Sequence, residues 1–206
     1  MCNLYSSTTS QEAMRRLFHG ISDRAGNLAA AKVYPDQLAP VIRHDGSGLE
    51  LVRARWGLPS PPSALKTARD PGVTNIRNLG SPHWRRWLGT AHRCLVPVTS
   101  FAEAIRGGNQ WFAPTEPSTV MFFAGIEIRN WRSIRKVKDG ETEDDLFAFL
   151  TCEPNAEVAA VHPKAMPVIL TRPEEWEAWL TSPIEKAREL QRPLPNEALL
   201  LIEDAQ

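Results

Sequence analysis

Residues 120–128 read Val120-Met121-Phe122-Phe123-Ala124-Gly125-Ile126-Glu127-Ile128, and after a charged, glycine-containing stretch a second apolar run follows from Leu146 to Cys152. Both runs are rich in β-branched and aromatic side chains, and both are short for buried helices, so each predicts a buried strand. The stretch between them, residues 130–145, reads as an exposed hairpin connection that can vary freely and carries no chemistry. Cys94 to Val98 upstream and Met166 to Leu170 downstream repeat the strand pattern. Leu49 to Trp56 alternates apolar positions with Arg53 and Arg55, as a half-buried strand does, and Gly57-Leu58-Pro59-Ser60-Pro61-Pro62 breaks it with a stiff loop.

Helices are few and short. Met14, Leu17 and Phe18 fall at helical spacing before Gly20 and Ser22. Ser81-Pro82-His83-Trp84 has an N-cap serine and a proline at the first helical position, and it places Trp84, Trp87 and Leu88 on one face. Thr171-Arg172-Pro173-Glu174 and Ser182-Pro183-Ile184-Glu185 each match a capping box, so residues 171–206 are expected to supply closing helices and a tail. Strands without regular β-α alternation predict an α+β fold with a largely antiparallel sheet, as one domain over residues 1–206.

Lysine plus arginine equals aspartate plus glutamate at 24 each, so any site for a polyanion must be a local patch rather than a global field. The opening residues lack the charged start of a secretory signal and no apolar run has the length of a membrane span, which reads as a cytoplasmic chain with no membrane partner. Cys2, Cys94 and Cys152 are too widely spaced for a disulfide framework or a C-x-x-C pair, and Cys94 and Cys152 sit within apolar runs as packing residues. The five histidines are scattered, and neither a metal cluster nor a phosphate-cradling glycine loop is found, so no metal and no cofactor is expected.

Cys2 follows Met1 directly, and initiator methionine is normally removed before a small side chain. A new N-terminal cysteine carries a thiol and an α-amine of pKa about 7.7–8.0 on adjacent carbons. Such an aminothiol captures aldehydes, first as an imine and then as a thiazolidine; position 2 would equally tolerate any small residue. Glu103 follows the apolar Leu95 to Ala102 run, where desolvation would raise its pKa into the range of a general acid or base, unless it is an ordinary turn carboxylate. His162 lies in Val161-His162-Pro163-Lys164, whose proline fixes the direction of the ring, for catalysis or as a satisfied core group. Asn75-Ile76-Arg77 puts two polar side chains on one side of an extended segment, suited to holding a terminus or a phosphate, or to pairing across strands.

Trp56, next to the stiff loop at Pro59, is either a platform for an unpaired base, worth about 1–3 kcal/mol, or a strand-end side chain closing the core. Arg85, Arg86, His92 and Arg93 make the best basic cluster, joined by Arg53 and Arg55 if the fold brings them near. A solvated helix face accounts for it equally well.

Met1-Cys2-Asn3-Leu4-Tyr5-Ser6, Arg55-Trp56-Gly57-Leu58-Pro59, Thr74-Asn75-Ile76-Arg77-Asn78, Arg93-Cys94-Leu95-Val96-Pro97, Ser100-Phe101-Ala102-Glu103 and His162-Pro163-Lys164-Ala165-Met166-Pro167-Val168-Ile169-Leu170 occur in that order. Together they resemble the SRAP family, named for "SOS response-associated peptidase", and the closing Leu190-Gln191-Arg192-Pro193-Leu194-Pro195 is similar to a bacterial branch of it. The resemblance implies a barrel-like β core flanked by short helices. It also implies a monomer that finds abasic sites in single-stranded DNA and crosslinks to them through Cys2, with possible self-removal of Met1 and strand cleavage as a side activity, acting at damaged DNA in the bacterial nucleoid. By the same resemblance Asn75 positions the processed terminus, Arg77 contacts phosphate, and Glu103 and His162 handle protons. Asn3-Leu4 stands where many members have Gly-Arg, Leu79 where a glutamate is common, and Ala104 where a tryptophan is common. Two other classes remain to be compared: an N-terminal-nucleophile amidotransferase, and a noncovalent single-strand-binding module built on Trp56 and the basic cluster.

Overall fold

The computed structural model describes residues 2–29 and 31–203. In chain order the elements are β1 (Leu4–Ser7), α1 (Gln11–Leu17), β2 (Ser22–Asp23), β3 (Ala31–Val33), β4 (Leu38–His44), β5 (Leu49–Trp56), β6 (Asn75–Ile76), β7 (Arg93–Val98), β8 (Ser100–Ile105), β9 (Gly108–Pro114), β10 (Met121–Ser133), β11 (Thr142–Cys152), α2 (Ala156–Ala159), β12 (Met166–Pro167), β13 (Ile169–Leu170), α3 (Pro173–Thr181), α4 (Ile184–Ala187) and β14 (Leu199–Ile202). Antiparallel pairing runs through β11, β10, β7, β4 and β5, and a parallel contact of β5 with β11 closes these strands into a barrel. A second antiparallel sheet, ordered β14-β9-β8-β1-β3, lies beside it. The expected α+β architecture with a largely antiparallel, barrel-like core and short helices is therefore the one observed, with parallel strand pairs β2–β5, β5–β11 and β6–β11 among the described residues.

The apolar runs explain the closure. Phe123, Phe147, Phe149 and Trp56 are all fully buried and cluster around Tyr5, which meets Trp56, Phe123 and Phe149 edge-on, while Trp56 stacks on Phe147 and Phe149; Phe122, on the other face of β10, meets Phe18 and Trp176. Tyr5 belongs to β1, so the same aromatic cluster ties the second sheet to the barrel. At the β7–β10 contact, a Cβ on Gly125 would sit 2.6 Å from Cys94 Sγ and 3.1 Å from Cys94 O. Only glycine permits that approach, and Trp179 of α3 then donates to the carbonyls of Cys94 and Gly125, both at 3.1 Å. Gly125→Ala is expected to destabilise by about 1–3 kcal/mol through overpacking, lowering the melting temperature by about 2–4 °C per kcal/mol; an unchanged melting curve would show the contact to be slack.

Residues 130–145 are not a free connection. β10 extends to Ser133 and β11 starts at Thr142, so only residues 134–141 lie between the strands. Lys136, Lys138, Asp139, Glu141 and Glu143 are exposed, but Asp144 and Asp145, at the start of β11, are engaged by Arg55 and Arg43 of the barrel wall. Arg43 donates to Glu50 at 2.8 Å, Glu127 at 2.5 Å and Asp145 at 2.7 Å, and Arg129 donates to Glu127 at 2.7 Å. Burying Glu127 is tolerable only because both arginines pair with it. Two further expectations are corrected. Residues 81–88 form turns and a single 3-10 turn at Arg85–Trp87 rather than an α-helix, and the C-terminal segment ends in a strand, β14, paired with β9.

Candidate active site around Cys2

β1 pairs with β8 in the register Leu4↔Ala102 and Tyr5↔Phe101. That register brings the start of the chain to the end of β8, where Glu103 lies near Cys2. Cys2 is 0% exposed, and its Sγ lies 3.4 Å from the Leu4 carbonyl. Burial pushes the Cys2 thiol well above its ordinary range, and the neighbouring charge of Glu103 pushes it further. At neutral pH the group is the thiol rather than the thiolate, so any attack by sulfur needs a base to take its proton.

Asn75 reaches the same residue from the other side. Its Nδ2 donates to the Cys2 carbonyl at 2.8 Å and to Thr74 Oγ1 at 2.8 Å, while Thr74 Oγ1 lies 3.3 Å from Asn3 Oδ1. Asn75 is placed by a parallel pairing of β6 with β11, Phe149↔Asn75, and by the loop that precedes it. That loop is pinned by Trp56 Nε1 donating to Thr74 O at 3.0 Å, by Asp70 accepting from Ser60, and by a bridge between Leu58 and Val73. It turns at Gly72, φ +79°, where a Cβ would lie 2.3 Å from the Arg135 guanidinium.

Glu103 is 1% exposed, and burial raises its carboxyl to about 7. His162 Nε2 stands 4.0 Å from Glu103 Oε2. The histidine follows α2, with its backbone N–H donating to Val158 O at 2.7 Å, and Pro163 fixes the exit of the chain. Burial holds the imidazole below its ordinary value and the positive charge of Lys164 adds to the effect, so the ring is neutral at pH 7. A carboxyl titrating near neutrality beside a neutral imidazole and the Cys2 thiol is an arrangement for moving protons at pH 7.

Arg77 is exposed and ion-paired with Glu153, while its backbone carbonyl accepts from Gln191 Nε2 at 2.7 Å. Cys2, Asn75, Glu103 and His162 thus converge, and Arg77 sits on the same short segment as Asn75. Other expectations fail. Trp56 is 0% exposed, stacked on Phe147 and Phe149, so it offers no face to a base and belongs to the core. Pro59 is buried, with its carbonyl 2.9 Å from His83 Nε2. Arg93 is 1% exposed, and its guanidinium donates to the carbonyls of Leu88, Trp179 and Ser182, which anchors α3 and leaves nothing for phosphate. Arg85 and Arg86 do lie at the surface, but on the turn beside β10, where Arg86 covers the Trp87 ring at 3.8 Å. Arg55 is bound to Asp144 at 2.9 Å and to the Asp36 carbonyl at 2.8 Å. The basic cluster is therefore dispersed. Cys94 and Cys152 are buried free thiols, Cys152 raised to about 12 by burial.

Among the described residues no helix is long and apolar enough to cross a membrane, and no group of three or more histidine, cysteine or carboxylate side chains is placed to hold a metal ion.

A closed β barrel with a flanking sheet that brings Cys2 to a buried glutamate defines the class. The family model described as SOS response associated peptidase (SRAP) matches residues 1–203, and the chain belongs to that family. A relative from Bacillus subtilis (strain 168), the abasic site processing protein YobE, is 30% identical over 156 residues, covering 70% of this chain and 66% of its own length. The fold is shared with a crystal structure of a protein from Bordetella bronchiseptica, at a TM-score of 0.72 and 22% identity over 97% of this chain and 98% of that one. A second, from Bacteroides thetaiotaomicron, aligns at a TM-score of 0.75 and 21% identity, over 97% of this chain and 90% of that one.

Proposed function

We propose that the protein recognises abasic sites in single-stranded DNA and, once Met1 has been removed, links itself to the opened sugar aldehyde through Cys2. The observation that carries this reading is the convergence on one residue: Asn75 holds the Cys2 carbonyl, Glu103 flanks its thiol, and His162 stands against Glu103. Membership of the SRAP family and the name of the Bacillus subtilis relative support it.

An abasic sugar is mainly a closed hemiacetal, and opening it moves one proton from the anomeric hydroxyl to a base and another to the ring oxygen. Glu103, titrating near 7, supplies both forms of a carboxyl for that exchange. The α-amine of Cys2 then adds to the aldehyde carbon, one amine proton passing to the oxygen, and the protonated carboxyl of Glu103 gives its proton to the departing hydroxyl, leaving an iminium ion, one water and the carboxylate. Sulfur attacks the iminium carbon next. The C–S bond forms as the C=N pair moves to nitrogen, and the thiol proton passes to the Glu103 carboxylate, which restores the acid. The product is a thiazolidine, formed with the net loss of one water. The imine also acidifies the adjacent sugar carbon, so β-elimination and strand cleavage compete with ring closure as a lyase side reaction. A thiol already enclosed beside the amine favours closure.

A blocked amine cannot form the imine, so loss of Met1 is the step that arms the protein. Glu103, next to Cys2, is placed to assist hydrolysis of the bond to Met1, the reaction to which a peptidase label refers; Met1 itself lies outside the described residues. Arg77 contacts a phosphate in exchange for Glu153.

Incubation of the Met1-free protein with a 5′-labelled single strand carrying one abasic site, followed by heating and a denaturing gel, tests this reading. It requires a retarded, heat-stable band, whereas glutamine hydrolysis with no such band would point to an amidotransferase. His162→Ala is expected to slow formation or reversal of the adduct by roughly tenfold, within the range of a single proton-transfer group. Equal rates in both directions would remove His162 from the mechanism.

A further inference from the structure

Gln191 lies far from Cys2 in sequence, yet its carboxamide closes the segment that carries Asn75 and Arg77. β6 has only two residues, which pair with β11 as Phe149↔Asn75 and Leu150↔Ile76. The next step of that parallel ladder would join Thr151 to Arg77. There Gln191 intervenes, with Nε2 donating to Thr151 O at 2.9 Å and to Arg77 O at 2.7 Å. Both protons of the amide are used, so one side chain holds two adjacent strand ends at a fixed separation.

Gln191 is itself held from both sides. Its backbone N–H donates to Arg188 O at 3.0 Å as the cap of the 3-10 turn Arg188–Leu190. Arg192 is ion-paired with Glu175, a buried carboxylate that also accepts from the Thr171 and Arg172 N–H groups at the start of α3. Ala187 and Leu194 on either side are packed in the core. The amide is therefore fixed in place before it meets Arg77, whose side chain makes an exposed pair with Glu153.

We propose that Gln191 is a positioning residue for the nucleic-acid site: by fixing the Arg77 backbone against β11 it sets where the Arg77 guanidinium meets a phosphate. This rests on the function proposed above only in taking the ligand to be a single strand. Two consequences separate positioning from simple support of the fold. Loss of the amide should weaken strand capture rather than the chemical step, because Asn75 keeps its own bonds to Cys2 and Thr74. The loss should also depend on Arg77 being present.

The test uses Met1-free protein in the wild-type, Gln191→Leu, Gln191→Met, Arg77→Ala and Gln191→Leu/Arg77→Ala forms, with melting curves to confirm folding. Adduct formation is followed against the concentration of a single strand with one abasic site, and noncovalent binding with the same strand lacking the lesion. The expected result is a rise of about three- to tenfold in half-saturating strand concentration for both Gln191 variants, as expected for one or two lost hydrogen bonds, with the maximal rate within about twofold. In the Arg77→Ala background Gln191→Leu should add nothing. Unchanged half-saturation in both Gln191 variants, or an equal effect with and without Arg77, would overturn the proposal. If wild-type protein binds the strand but forms no adduct, the crosslinking reading fails while the dependence on Arg77 is still decided by the binding arm. If adducts form and the Gln191 variants match wild type, the positioning claim alone fails.

Discussion

Cys2→Ala, with Met1 removed, is expected to abolish the heat-stable adduct entirely while leaving strand cleavage in place. The two outcomes divide because the aminothiol does two separable things. An alanine α-amine still forms an imine with the opened sugar and still acidifies the adjacent carbon, so β-elimination continues. No sulfur is then present to close the ring, and the imine is lost on heating. Cys94 and Cys152 cannot stand in, since both are buried within strands and neither owns an α-amine. Denaturing gels with a 5′-labelled strand read both products in one lane. A heat-stable adduct surviving in Cys2→Ala would place the covalent bond elsewhere and remove the role assigned to Cys2.

Glu103→Gln is expected to slow adduct formation by about 10²- to 10⁴-fold, the range for loss of a positioned acid and base. The size of the effect follows from burial. A carboxyl raised to about 7 holds substantial amounts of both protonation states at neutral pH, which an exposed glutamate near its ordinary value would not. The wild-type rate should peak near pH 7, where the carboxyl that expels water and the carboxylate that takes the thiol proton are both populated, and this peak should vanish in Glu103→Gln. Stability moves the opposite way. A carboxyl whose folded pKa is raised favours folding when protonated, a contribution fully present below about 4.5 and lost as pH rises through about 7. Above that pH the buried charge opposes folding by an amount on the order of 3 kcal/mol for a shift of this size. Glu103→Gln should therefore melt higher than wild type at pH 8 and about equally at pH 4. A parallel loss of stability at both pH values would mean that the carboxyl is structural.

Much of this arrangement was legible in local sequence and some was not, for a consistent reason. The strands β5, β7, β10 and β11 carry long apolar runs; β5 and β7 keep to those bounds, whereas β10 runs on to Ser133 and β11 starts early at Thr142, beyond the apolar pattern. β6 has two residues and no pattern of its own, and it exists because Phe149 and Leu150 offer it a ladder. The Trp84-Trp87-Leu88 spacing predicts a helix, but between Gly80 and Gly89 the chain settles into turns and one 3-10 turn, which still bury Trp84, Trp87 and Leu88. Trp56 stood open between core and surface in the sequence. Closure of the barrel by the parallel β5–β11 contact decided for the core, and that contact is not written locally. The charges of residues 129–145 likewise read as solvated because Arg43, which binds Glu127 and Asp145, is remote in the chain.

The site divides the same way. Asn75, Arg77, Glu103 and His162 stood out as polar groups beside apolar runs and Cys2 by its place after Met1, and the fold brings Cys2, Asn75, Glu103 and His162 together. Arg93 shared that signature and proved to be an anchor for α3, because a buried guanidinium is satisfied by carbonyls as readily as by phosphate. Gln191 lay in a recognisable closing motif, but nothing in its neighbours announces two carbonyls contributed by Arg77 and Thr151.

The intact mass of the Met1-free protein, after incubation with a single-stranded oligonucleotide bearing one abasic site and then denaturation, tests the central claim most directly. The account predicts a species at the summed mass of protein and uncleaved oligonucleotide less one water, stable to heating. An unshifted protein mass, under conditions where binding of the oligonucleotide is demonstrated, would contradict it.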